Sequence, residues 1–388
     1  MTAILPGATL GVMGGGQLGR MFVHAAQRMG YFTAVLDPDP ASLAGLVSHH
    51  HVRTDYLDEQ GLARLAEVSG AITTEFENVP ARALASLAAR RSVAPGAEAV
   101  AIAQDRAREK AHFVRCGVAC APHAVIETEQ QLSGVGVDLL PGVLKTSRLG
   151  YDGKGQARVG TREQLAAAWN ELKRVPCVLE RLLPLRAECS VIVARGQNGR
   201  MVNLPVQLNL HRDGILALTE VHPDNLLPAQ ARQAVEATRA IAEGLGYVGV
   251  LCVEFFLLDD GSLVVNEMAP RPHNSGHYSI DACDLSQFEL QVRTLAGLPL
   301  AQPRQHSPAI MLNLLGDLWF AGGATEATPP WQEVLALPGA HLHLYGKASA
   351  RVGRKMGHLT LTGPTLSAVR QTAAAAARLL RIEPFQAP

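Results

Sequence analysis

The spacing of apolar residues over the first hundred positions alternates between the periods of strands and helices. Apolar runs at residues 8–13, 33–37 and 70–75 predict short strands, whereas residues 17–29 and 57–68 carry apolar side chains at helical intervals. This strand–helix order is typical of a doubly wound parallel sheet. Ligands of such sheets bind beyond the carboxyl ends of the strands, so functional residues are expected in the turns that follow them.

From about residue 102 the pattern becomes richer in strands. Two helices are predicted there, at residues 104–115 and 228–244, and the strands are at residues 142–145, 177–180, 189–195, 201–207, 250–258 and 262–266. Glycine-ended polar stretches predict hairpin turns at Gln197-Asn198-Gly199 and Asp259-Asp260-Gly261. Beyond Pro299 we expect a smaller unit, with strands at residues 310–315 and 341–345 and a final alanine-rich helix at residues 367–380.

Composition and charge narrow the class of protein. The 388 residues are 47% hydrophobic and 18% charged, which excludes a disordered chain and favours two or three globular domains. Because 35 basic residues balance 35 acidic ones, we expect no nucleic-acid or membrane partner. Six scattered cysteines, with no membrane-length apolar run and no leader pattern, predict free thiols in a cytoplasmic protein. The run His49-His50-His51 has no spaced partner ligands and is interpreted as a loop.

The first glycine cluster, Gly14-Gly15-Gly16-Gln17-Leu18-Gly19, lies between a predicted strand and a predicted helix. It satisfies G-x-G-x-x-G, and Asp37 ends the next strand near the position of a ribose-binding acid. By itself this pattern indicates an NAD-dependent oxidoreductase. The same backbone would bind any phosphate at a helix N-terminus. A tight turn that binds no ligand has the same glycine spacing. The pattern therefore does not identify the ligand.

A second glycine-rich stretch follows the strand that ends at Lys145, and it comprises Gly150, Tyr151, Asp152, Gly153, Lys154, Gly155 and Gln156. Its glycines suit a loop that folds over phosphates, and its lysines supply charge. A plain hairpin loop with solvated lysines is the alternative. A dehydrogenase has no use for such a loop.

Two glutamates are predicted to face each other across a hairpin. Counting outward from a two-residue Asp260-Gly261 turn places Glu254 opposite Glu267, on the face that also carries Phe256 and Val265. Like charges directly opposite destabilise a sheet, and a divalent cation removes that penalty. Carboxylate oxygens suit Mg²⁺, so the pair is a candidate metal site. An exposed acidic pair at a sheet edge is the alternative.

A polar, proline-constrained stretch, Asn266-Glu267-Met268-Ala269-Pro270-Arg271-Pro272-His273-Asn274-Ser275-Gly276-His277, follows directly. Such a stretch is poorly suited to a core. It is well suited to fixing Arg and His side chains beside a metal-bound phosphate.

Five motifs in this order resemble one family. They are Gly-Gly-Gln-Leu-Gly-Arg, Thr-Glu-Phe-Glu-Asn-Val, Lys-x-x-x-x-Gly-Tyr-Asp-Gly-Lys-Gly-Gln, Asn-Glu-x-Ala-Pro-Arg-x-His-Asn-Ser-Gly-His and Gly-Arg-Lys-Met-Gly-His. The chain is similar to the 5-(carboxyamino)imidazole ribonucleotide synthetases, ATP-grasp enzymes that form the ATPase subunit of phosphoribosylaminoimidazole carboxylase in purine biosynthesis. The resemblance extends from Gly11 to about Thr362.

The resemblance implies a fold of mixed α/β and α+β class. We expect an N-terminal Rossmann-like domain at residues 1–100, a central ATP-grasp module at residues 101–300 and a small C-terminal domain at residues 301–388.

The resemblance also implies an ATP site between two β-layers. The residues carried over to ATP are Arg106, Lys145, Gly150, Tyr151, Asp152, Gly153, Lys154, Gly155, Gln156, Glu180, Arg181, Leu182, Leu183, Glu188, His211, Asn266 and Glu267. Glu254 and Glu267 correspond to the Mg²⁺ ligands, with two ions plausible, in agreement with the hairpin counting.

The ribonucleotide site implied by the resemblance draws on all three domains. Its residues are Gln17, Leu18, Glu75, Asn274, Lys347, Arg354 and Lys355. The lysines and the arginine suit a dianionic 5′-phosphate. The first glycine loop would then hold ribonucleotide, with no NAD.

The implied reaction joins 5-aminoimidazole ribonucleotide, ATP and bicarbonate through carboxyphosphate. Lys145 would neutralise charge on the transferred phosphoryl group and Arg271 would clamp the one-carbon anion. His273 would orient the intermediate or move a proton, with a purely structural role as its alternative, and Asp152 would accept or position the amine proton. A homodimer and a hand-off to the mutase of the next step are implied partners.

Three other functions stay open. A formate-dependent glycinamide ribonucleotide transformylase shares the ATP chemistry but differs at Tyr151, Asp152 and residues 274–277. An NAD oxidoreductase is supported by the first glycine loop and Asp37 alone. A noncatalytic nucleotide-binding module is the third.

Overall fold

The computed structural model describes residues 2–150, 155–323 and 325–384. Its first unit contains β1 (Thr9–Met13), α1 (Gln17–Arg28), β2 (Phe32–Leu36), β3 (His50–Val52), α2 (Glu59–Val68), β4 (Ala71–Thr74), α3 (Ala81–Ala88), β5 (Ser92–Val93) and α4 (Ala97–Ala103). The strands form a parallel sheet in the order β3-β2-β1-β4-β5. The predicted parallel α/β unit is therefore confirmed.

One prediction for this unit is wrong. The run His49-His50-His51 was expected to be a loop, but His50 and His51 begin edge strand β3. Pairing with Ala34 and Val35 of β2 supplies the backbone partners that make this polar segment a strand. The segment lacks an apolar alternation because an edge strand needs to bury little of its surface.

The middle unit contains α5 (Arg106–Arg115), β6 (His123–Ile126), α6 (Glu129–Ser133), β7 (Gly142–Thr146), β8 (Gln156–Val159), α7 (Arg162–Glu171), β9 (Cys177–Arg181), β10 (Leu185–Arg195), β11 (Met201–Asn203), β12 (Gln207–Arg212), β13 (Ile215–Val221), α8 (Pro228–Gly244), β14 (Gly249–Leu258), β15 (Leu263–Ala269), α9 (Ser279–Ala282) and α10 (Gln287–Ala296). Strands β6-β9-β7-β8 form a small antiparallel sheet. The others belong to a second, larger sheet, and the two sheets are the two β-layers that the resemblance implied.

The last unit adds β16 (Ala309–Leu315), α11 (Trp331–Leu335), β17 (Ala340–Leu344), β18 (Lys355–Thr362) and α12 (Leu366–Leu380). Its strands extend the larger sheet, whose order is β15-β14-β10-β12-β13-β16-β18-β17, with β11 beside β10. Short 3-10 turns complete the described elements, at Gly45–Val47, Val137–Leu139, Asn274–Gly276 and Gly316–Phe320.

The strand predicted at residues 201–207 is divided. Its first part forms β11, which ends at Asn203, and β12 begins only at its last residue, Gln207, because Pro205 between them has no N–H to contribute to a ladder. The two predicted hairpin turns are present, and each has a glycine at positive φ, 78° at Gly199 and 82° at Gly261.

The β14–β15 hairpin confirms the glutamate pair but not the register near the turn. Leu258 N–H bonds to the Ser262 carbonyl, so the loop has three residues and Phe256 pairs with Val264, not with Val265. A β-bulge at Asn266 then restores the expected pairing of Glu254 with Glu267. Two residues of β15 therefore oppose one of β14 at this point.

The core explains why the site lies where it does. Strands β10 and β14 alternate, so that Val191 and Val253 pack against the helix α8 side of the sheet while Ile192 and Cys252 pack on the α10 side. The α10 side continues to Glu254, where the sheet borders a cleft instead of a helix.

The six cysteines are free thiols, as predicted, and four of them are buried. Burial raises the pKa of the Cys189 and Cys283 thiols to about 12, so they stay protonated and inert. Among the described residues, no helix combines the length and apolar character that crossing a membrane requires.

Candidate functional site

Three neighbouring cavities, called here the cleft, are linked by lining residues that they share. Cavity A, of about 560 Å³, lies between the two antiparallel sheets. Cavity B, of about 140 Å³, shares Arg106, Glu254 and Glu267 with cavity A. Cavity C, of about 290 Å³, lies beside the first glycine loop and shares with cavity B the residues Glu77, Arg271, His273 and Lys355.

Cavity A collects most of the residues predicted to bind ATP. They are Arg106, Lys145, Gln156, Glu180, Arg181, Leu182, Leu183, Glu188, His211, Asn266 and Glu267, and the predicted metal ligand Glu254 lines the same cavity. Strands β7, β8 and β9 of the small sheet supply one wall, and β10, β12, β14 and β15 of the large sheet supply the other. The side chains converge because two sheets face each other across the cleft.

A buried ion network connects the small-sheet wall of cavity A to helix α5. Lys145 Nζ lies 3.1 Å from Glu180 Oε2, and Lys110 Nζ lies 3.4 Å from Glu180 Oε1. Burial lowers the pKa of Lys145, although Glu180 opposes that shift. Burial favours the neutral form of Glu180, but the two lysines outweigh it and lower the Glu180 pKa. One carboxylate therefore holds two ammonium groups in place.

The paired glutamates differ in their electrostatic surroundings. Burial and then the charge of Glu267 raise the pKa of Glu254. Burial acts the same way on Glu267, but Arg106 and Lys145 outweigh it and lower the Glu267 pKa. Arg106 Nη1 lies 3.0 Å from Glu267 Oε2. The two glutamates therefore differ in the direction of their pKa shifts, because Arg106 and Lys145 act mainly on Glu267.

An acid–histidine pair lies on the same large-sheet wall of cavity A as the two glutamates. His211 Nδ1 lies 2.9 Å from Glu188 Oε2, on neighbouring strands β12 and β10. Burial lowers the His211 pKa, but the carboxylates of Glu188 and Glu254 reverse that effect and raise it overall.

Arg271 and His273 stand where cavities B and C meet. Arg271 donates from Nε to Glu77 Oε2 at 2.5 Å and from Nη1 to the Pro272 carbonyl at 3.0 Å. His273 Nε2 lies 3.3 Å from Glu254 Oε1. Burial, followed by the charge of Arg271, lowers the pKa of His273 well below its ordinary value, so the imidazole is neutral.

His273 also has a structural role. It precedes the Asn274–Gly276 turn, and its Nδ1 accepts from the Ser275 N–H at 3.4 Å. The capping contact occupies Nδ1, whereas Nε2 faces Glu254. The two roles considered from the sequence are compatible in one side chain.

The first glycine loop binds carboxylates of its own chain. Gly15 N–H donates to Asp37 at 2.7 Å, and the N–H groups of Gly16 and Gly19 donate to Glu75 at 2.9 and 3.0 Å. Asp37 also accepts from the Tyr56 hydroxyl at 2.6 Å. These contacts use the amides that a dinucleotide pyrophosphate would need, which disfavours the NAD interpretation.

Cavity C brings together residues from distant parts of the sequence. Lys347 Nζ donates to Gln17 Oε1 at 2.7 Å, and Leu18, Glu75, Asn274 and Lys355 line the same cavity. Burial, and then the positive charges of Arg354 and Lys355, lower the pKa of Lys347 to about 8.

Asn274 has an unusual environment in this cavity. Its amide oxygen and nitrogen are both buried and make no hydrogen bond within the described part of the chain. A buried amide without partners is costly, which suits a group that awaits a polar ligand.

Comparisons with known proteins match all three units. Family models for the ribonucleotide synthetase preATP-grasp domain, the ATP-grasp domain and the phosphoribosylaminoimidazole carboxylase C-terminal domain match residues 7–104, 111–288 and 309–372. The N5-carboxyaminoimidazole ribonucleotide synthase of Brucella melitensis is 42% identical over 366 residues, covering 94% of this chain and 98% of the relative. The chain belongs to the N5-carboxyaminoimidazole ribonucleotide synthase family.

Solved structures agree with this family assignment. An ADP complex of an N5-carboxyaminoimidazole ribonucleotide synthetase has a TM-score of 0.90 and 36% identity, with 98% of each chain covered. The Aspergillus clavatus enzyme, in complex with ADP and 5-aminoimidazole ribonucleotide, has a TM-score of 0.86 and 32% identity, covering 96% of this chain and 98% of that one. The expected ATP-grasp architecture with its N-terminal and C-terminal domains is confirmed.

The other predicted site residues are the second glycine-rich stretch and Arg354, and only part of them lies in the cleft. Tyr151, Asp152, Gly153 and Lys154 are outside the described residues. Gly150 lines cavity B and accepts from Arg106 Nη2 at 3.3 Å. Gly155 is in the turn before β8, at a φ of 70°. Arg354 lines none of the three cavities, and its Nη1 donates to the Ser349 carbonyl at 2.8 Å.

Sequence reasoning missed several residues of the cleft. Lys110 and Glu109 were predicted simply as part of a charged helix, yet both are buried, and Lys110 donates to the Asn266 carbonyl at 2.8 Å. Glu77, the partner of Arg271, belongs to the motif Thr-Glu-Phe-Glu-Asn-Val, but the sequence analysis predicts no function for it. The presence of two acidic residues in that motif could have indicated that Glu77, like Glu75, is part of the site.

Proposed function

We propose that this chain carboxylates 5-aminoimidazole ribonucleotide with bicarbonate and ATP, forming N5-carboxyaminoimidazole ribonucleotide, ADP and phosphate. The observation that carries the proposal is that cavity B shares lining residues with cavity A on one side and with cavity C on the other, and that Arg271 and His273 line both B and C. A small anion activated at the B–C junction lies directly beside cavity C.

ATP is assigned to cavity A. The strand end at Glu180 to Leu183 provides backbone and apolar side chains for a base, and Glu188 stands nearby for a ribose. Lys145 and Arg106 place positive charge toward cavity B, where the γ-phosphate would meet its acceptor.

The residues between cavities A and B fit Mg²⁺. Glu254 and Glu267 oppose each other on the ladder, and the bulge adds Asn266, whose Oδ1 is buried and has no partner among the described residues. Three hard oxygens in one place are a suitable donor set. Mg²⁺ bound there, as one or two ions, would supply positive charge to the transferring phosphoryl group.

Activation of bicarbonate is assigned to the B–C junction. A bicarbonate oxygen attacks the γ-phosphorus, the bond to ADP breaks, and carboxyphosphate forms. The Arg271 guanidinium, oriented by Glu77, presents a planar donor set to that anion. Neutral His273 orients it or moves a proton, and Lys355 lines the same space.

The ribonucleotide is assigned to cavity C. Lys347 and Lys355 favour a phosphate, while Asn274 offers an unsatisfied amide. The substrate amine attacks the carbon of carboxyphosphate, the bond to phosphate breaks, and phosphate leaves with its electron pair. We propose, from the sequence, that Asp152 accepts or positions the amine proton.

The test measures ADP release in carbonate-depleted buffer. Turnover is expected with 5-aminoimidazole ribonucleotide plus bicarbonate, and none with glycinamide ribonucleotide plus formate. Turnover with glycinamide ribonucleotide plus formate alone would make this protein a transformylase. If neither substrate pair gives ADP, the chain is better described as a noncatalytic nucleotide-binding module.

We further propose the domain boundaries at residues 100 and 300, a homodimer, a cytoplasmic location and a hand-off of product to the mutase of the next step. These follow from the family resemblance. Sedimentation of the purified protein tests the dimer, and product transfer in the presence of a trapping enzyme tests the hand-off.

A further inference from the structure

A second cluster of possible ligands lies outside the three cavities, on the hairpin of β17 and β18. His341 and His343 are two positions apart on β17, so their side chains share a face of the strand. His358 of β18 pairs directly with His343 across the ladder. Asp281, from the short helix α9 of the middle unit, lies against the same face.

The potential ligand atoms are close together. Asp281 Oδ2 lies 2.9 Å from His343 Nε2, and Asp281 Oδ1 lies 3.8 Å from His341 Nδ1. One donor atom each of Asp281, His343 and His358 lie within 4.8 Å of one another. Ligands of a tetrahedral zinc ion are separated by about 3.3 Å, given metal–ligand distances of about 2.0–2.1 Å. Small side-chain movements bring these three atoms to that spacing.

His358 supplies the independent observation. The residue is fully buried, and its Nδ1 lies 3.1 Å from the Tyr345 hydroxyl. Its Nε2 is buried and has no hydrogen-bond partner in the described part of the chain. A buried ring nitrogen without a partner calls for a ligand, because leaving it unsatisfied is costly.

We propose that Asp281, His343 and His358 form a binding site for a divalent transition cation of the zinc type. Two imidazoles and one carboxylate suit Zn²⁺, Co²⁺ or Ni²⁺ and are a poor set for Mg²⁺. The Tyr345 hydroxyl holds Nδ1 of His358, which is the outer-shell contact that orients a ligating histidine. His341 stands beside the site, close to Asp281.

The imidazole rings of His343 and His358 are stacked, with centroids 4.5 Å apart and planes at 11°. A shared ion requires one of these rings to tilt. Since His343 is partly exposed, it is the ring that has room to move.

The position of this site gives it a mechanical consequence. The ion would tie β17 and β18 of the last unit to α9 of the middle unit. The segment between these strands contains Lys347, and β18 begins at Lys355, both of which line cavity C. A metal there would stiffen the support of cavity C from outside, without contacting any substrate assigned to the cleft.

The experiment titrates tag-free protein with Co²⁺ and with Zn²⁺ in millimolar Mg²⁺, using visible absorption and calorimetry. One ion per chain is expected, with a Co²⁺ spectrum typical of four ligands, three from the chain and one water. His343→Gln and Asp281→Asn should each weaken binding by at least about tenfold. His50→Ala, an exposed histidine of another edge strand, is the matched control and should bind as the parent does.

Thermal unfolding without metal shows whether each variant is folded. If only one of His343→Gln and Asp281→Asn folds, that variant alone is enough to test the proposal. Absence of stoichiometric binding by the parent would overturn the proposal. Binding that survives both substitutions would also overturn it. So would binding that is lost in His50→Ala, or in Glu267→Gln, which changes the candidate Mg²⁺ site. In each case the ion would lie elsewhere.

Discussion

The ion pair between Glu77 and Arg271 links two residues that are 194 positions apart and places a guanidinium at the junction of two cavities. Burial raises the pKa of Glu77, but Arg271 outweighs it and keeps that pKa below its ordinary value. The carboxylate therefore remains charged at neutral pH. Its most direct effect is to fix the direction in which Arg271 presents its remaining donors.

Glu77→Gln should reduce carboxylation while leaving Mg·ATP affinity within about threefold, which is under 1 kcal/mol. The variant should also lose about 2 kcal/mol of unfolding free energy, because a partly buried guanidinium loses its charged partner. Steady-state kinetics, nucleotide binding and urea unfolding measure these quantities. Glu98→Gln is the matched control: Glu98 pairs with Arg108 at 2.7 Å on the surface, and its loss should cost no more than about 0.5 kcal/mol. Equal effects of both changes would contradict the argument.

Lys347 makes ribonucleotide binding depend on pH. Its pKa is lowered to about 8, so the ammonium is present below that pH and is lost as the pH rises through it. The KM for 5-aminoimidazole ribonucleotide should therefore rise above about pH 8, while the KM for ATP stays constant. Lys347→Arg keeps the charge and should flatten the profile. An unchanged alkaline profile in this variant would show that another group is responsible.

Arg354 provides a contrast in the same region. It contributes to the lowered pKa of Lys347 but lines none of the cavities. Lys347→Ala should weaken ribonucleotide binding by roughly ten- to a hundredfold, the loss of one charge-assisted contact. Arg354→Ala should have a smaller effect, measured by the same equilibrium binding. A larger loss in Arg354→Ala would place the phosphate on that side.

At the scale of elements, the β-bulge in β15 is the feature that shapes the candidate metal site. Between Glu254 and Phe255 the register of the ladder shifts by one residue, and Asn266 is the extra one. The shift adds an amide oxygen beside the two carboxylates. It also directs the Asn266 carbonyl to Lys110.

Deleting Asn266 should leave the strand pairs on both sides of the bulge intact, because Glu254 would still face Glu267 and Phe255 would still face Val265. The ladder then becomes regular, and the amide oxygen is lost. We expect weaker Mg²⁺ dependence of nucleotide binding, with secondary structure retained by circular dichroism. Asn266→Ala separates the side chain from the backbone, and it should reproduce the metal effect. If neither change alters the Mg²⁺ requirement, Asn266 does not contribute to that site.

The elements that sequence patterns predicted correctly share local signals. Strands β10 and β14 carry long apolar runs, and helix α8 has both apolar spacing and a proline at its start. Strands β13 and β18 were missed because their buried polar residues depend on distant partners. Glu220 of β13 pairs with Arg370 at 2.7 Å, and His358 of β18 contacts Tyr345. A single sequence does not show which remote residue satisfies a buried charge.

Within the candidate site, too, some features were predictable from local sequence and others depend on contacts between distant residues. Glycine loops, the glutamate pair and the residues after β15 were predicted from their own neighbourhoods. The role of Lys110, the partner of Arg271 and the occupation of the glycine loop by Glu75 depend on contacts across the fold. The pairing of Glu254 with Glu267 was correct although the turn had three residues, since the bulge compensated for the difference.

At the scale of the whole molecule, the large sheet passes without interruption from the middle unit into the last one. Strand β13 pairs with β16 from Leu218–Leu312 to Val221–Ala309, and Leu218 belongs to the same apolar cluster as Ile310 and Leu359. The last unit is therefore the completion of a sheet, and it also delivers Lys347 and Lys355 to cavity C. Folding and substrate binding depend on the same strand pairing.

Truncation after residue 308 should therefore yield a protein that aggregates instead of an independent ATP-binding fragment. The cut exposes the backbone edge of β13 and removes Arg370, the partner of buried Glu220. Glu129→Gln, which removes an exposed ion pair with Arg174, is the control and should leave the unfolding free energy within about 0.5 kcal/mol of the parent. Size-exclusion chromatography, Mg·ATP binding and urea unfolding provide the comparison. The argument would be contradicted by a fragment that ends at residue 308, is monomeric and binds Mg·ATP like the full chain. Such a fragment would show that the central module folds by itself. The shared sheet would then matter for ribonucleotide binding but not for the stability of the central module.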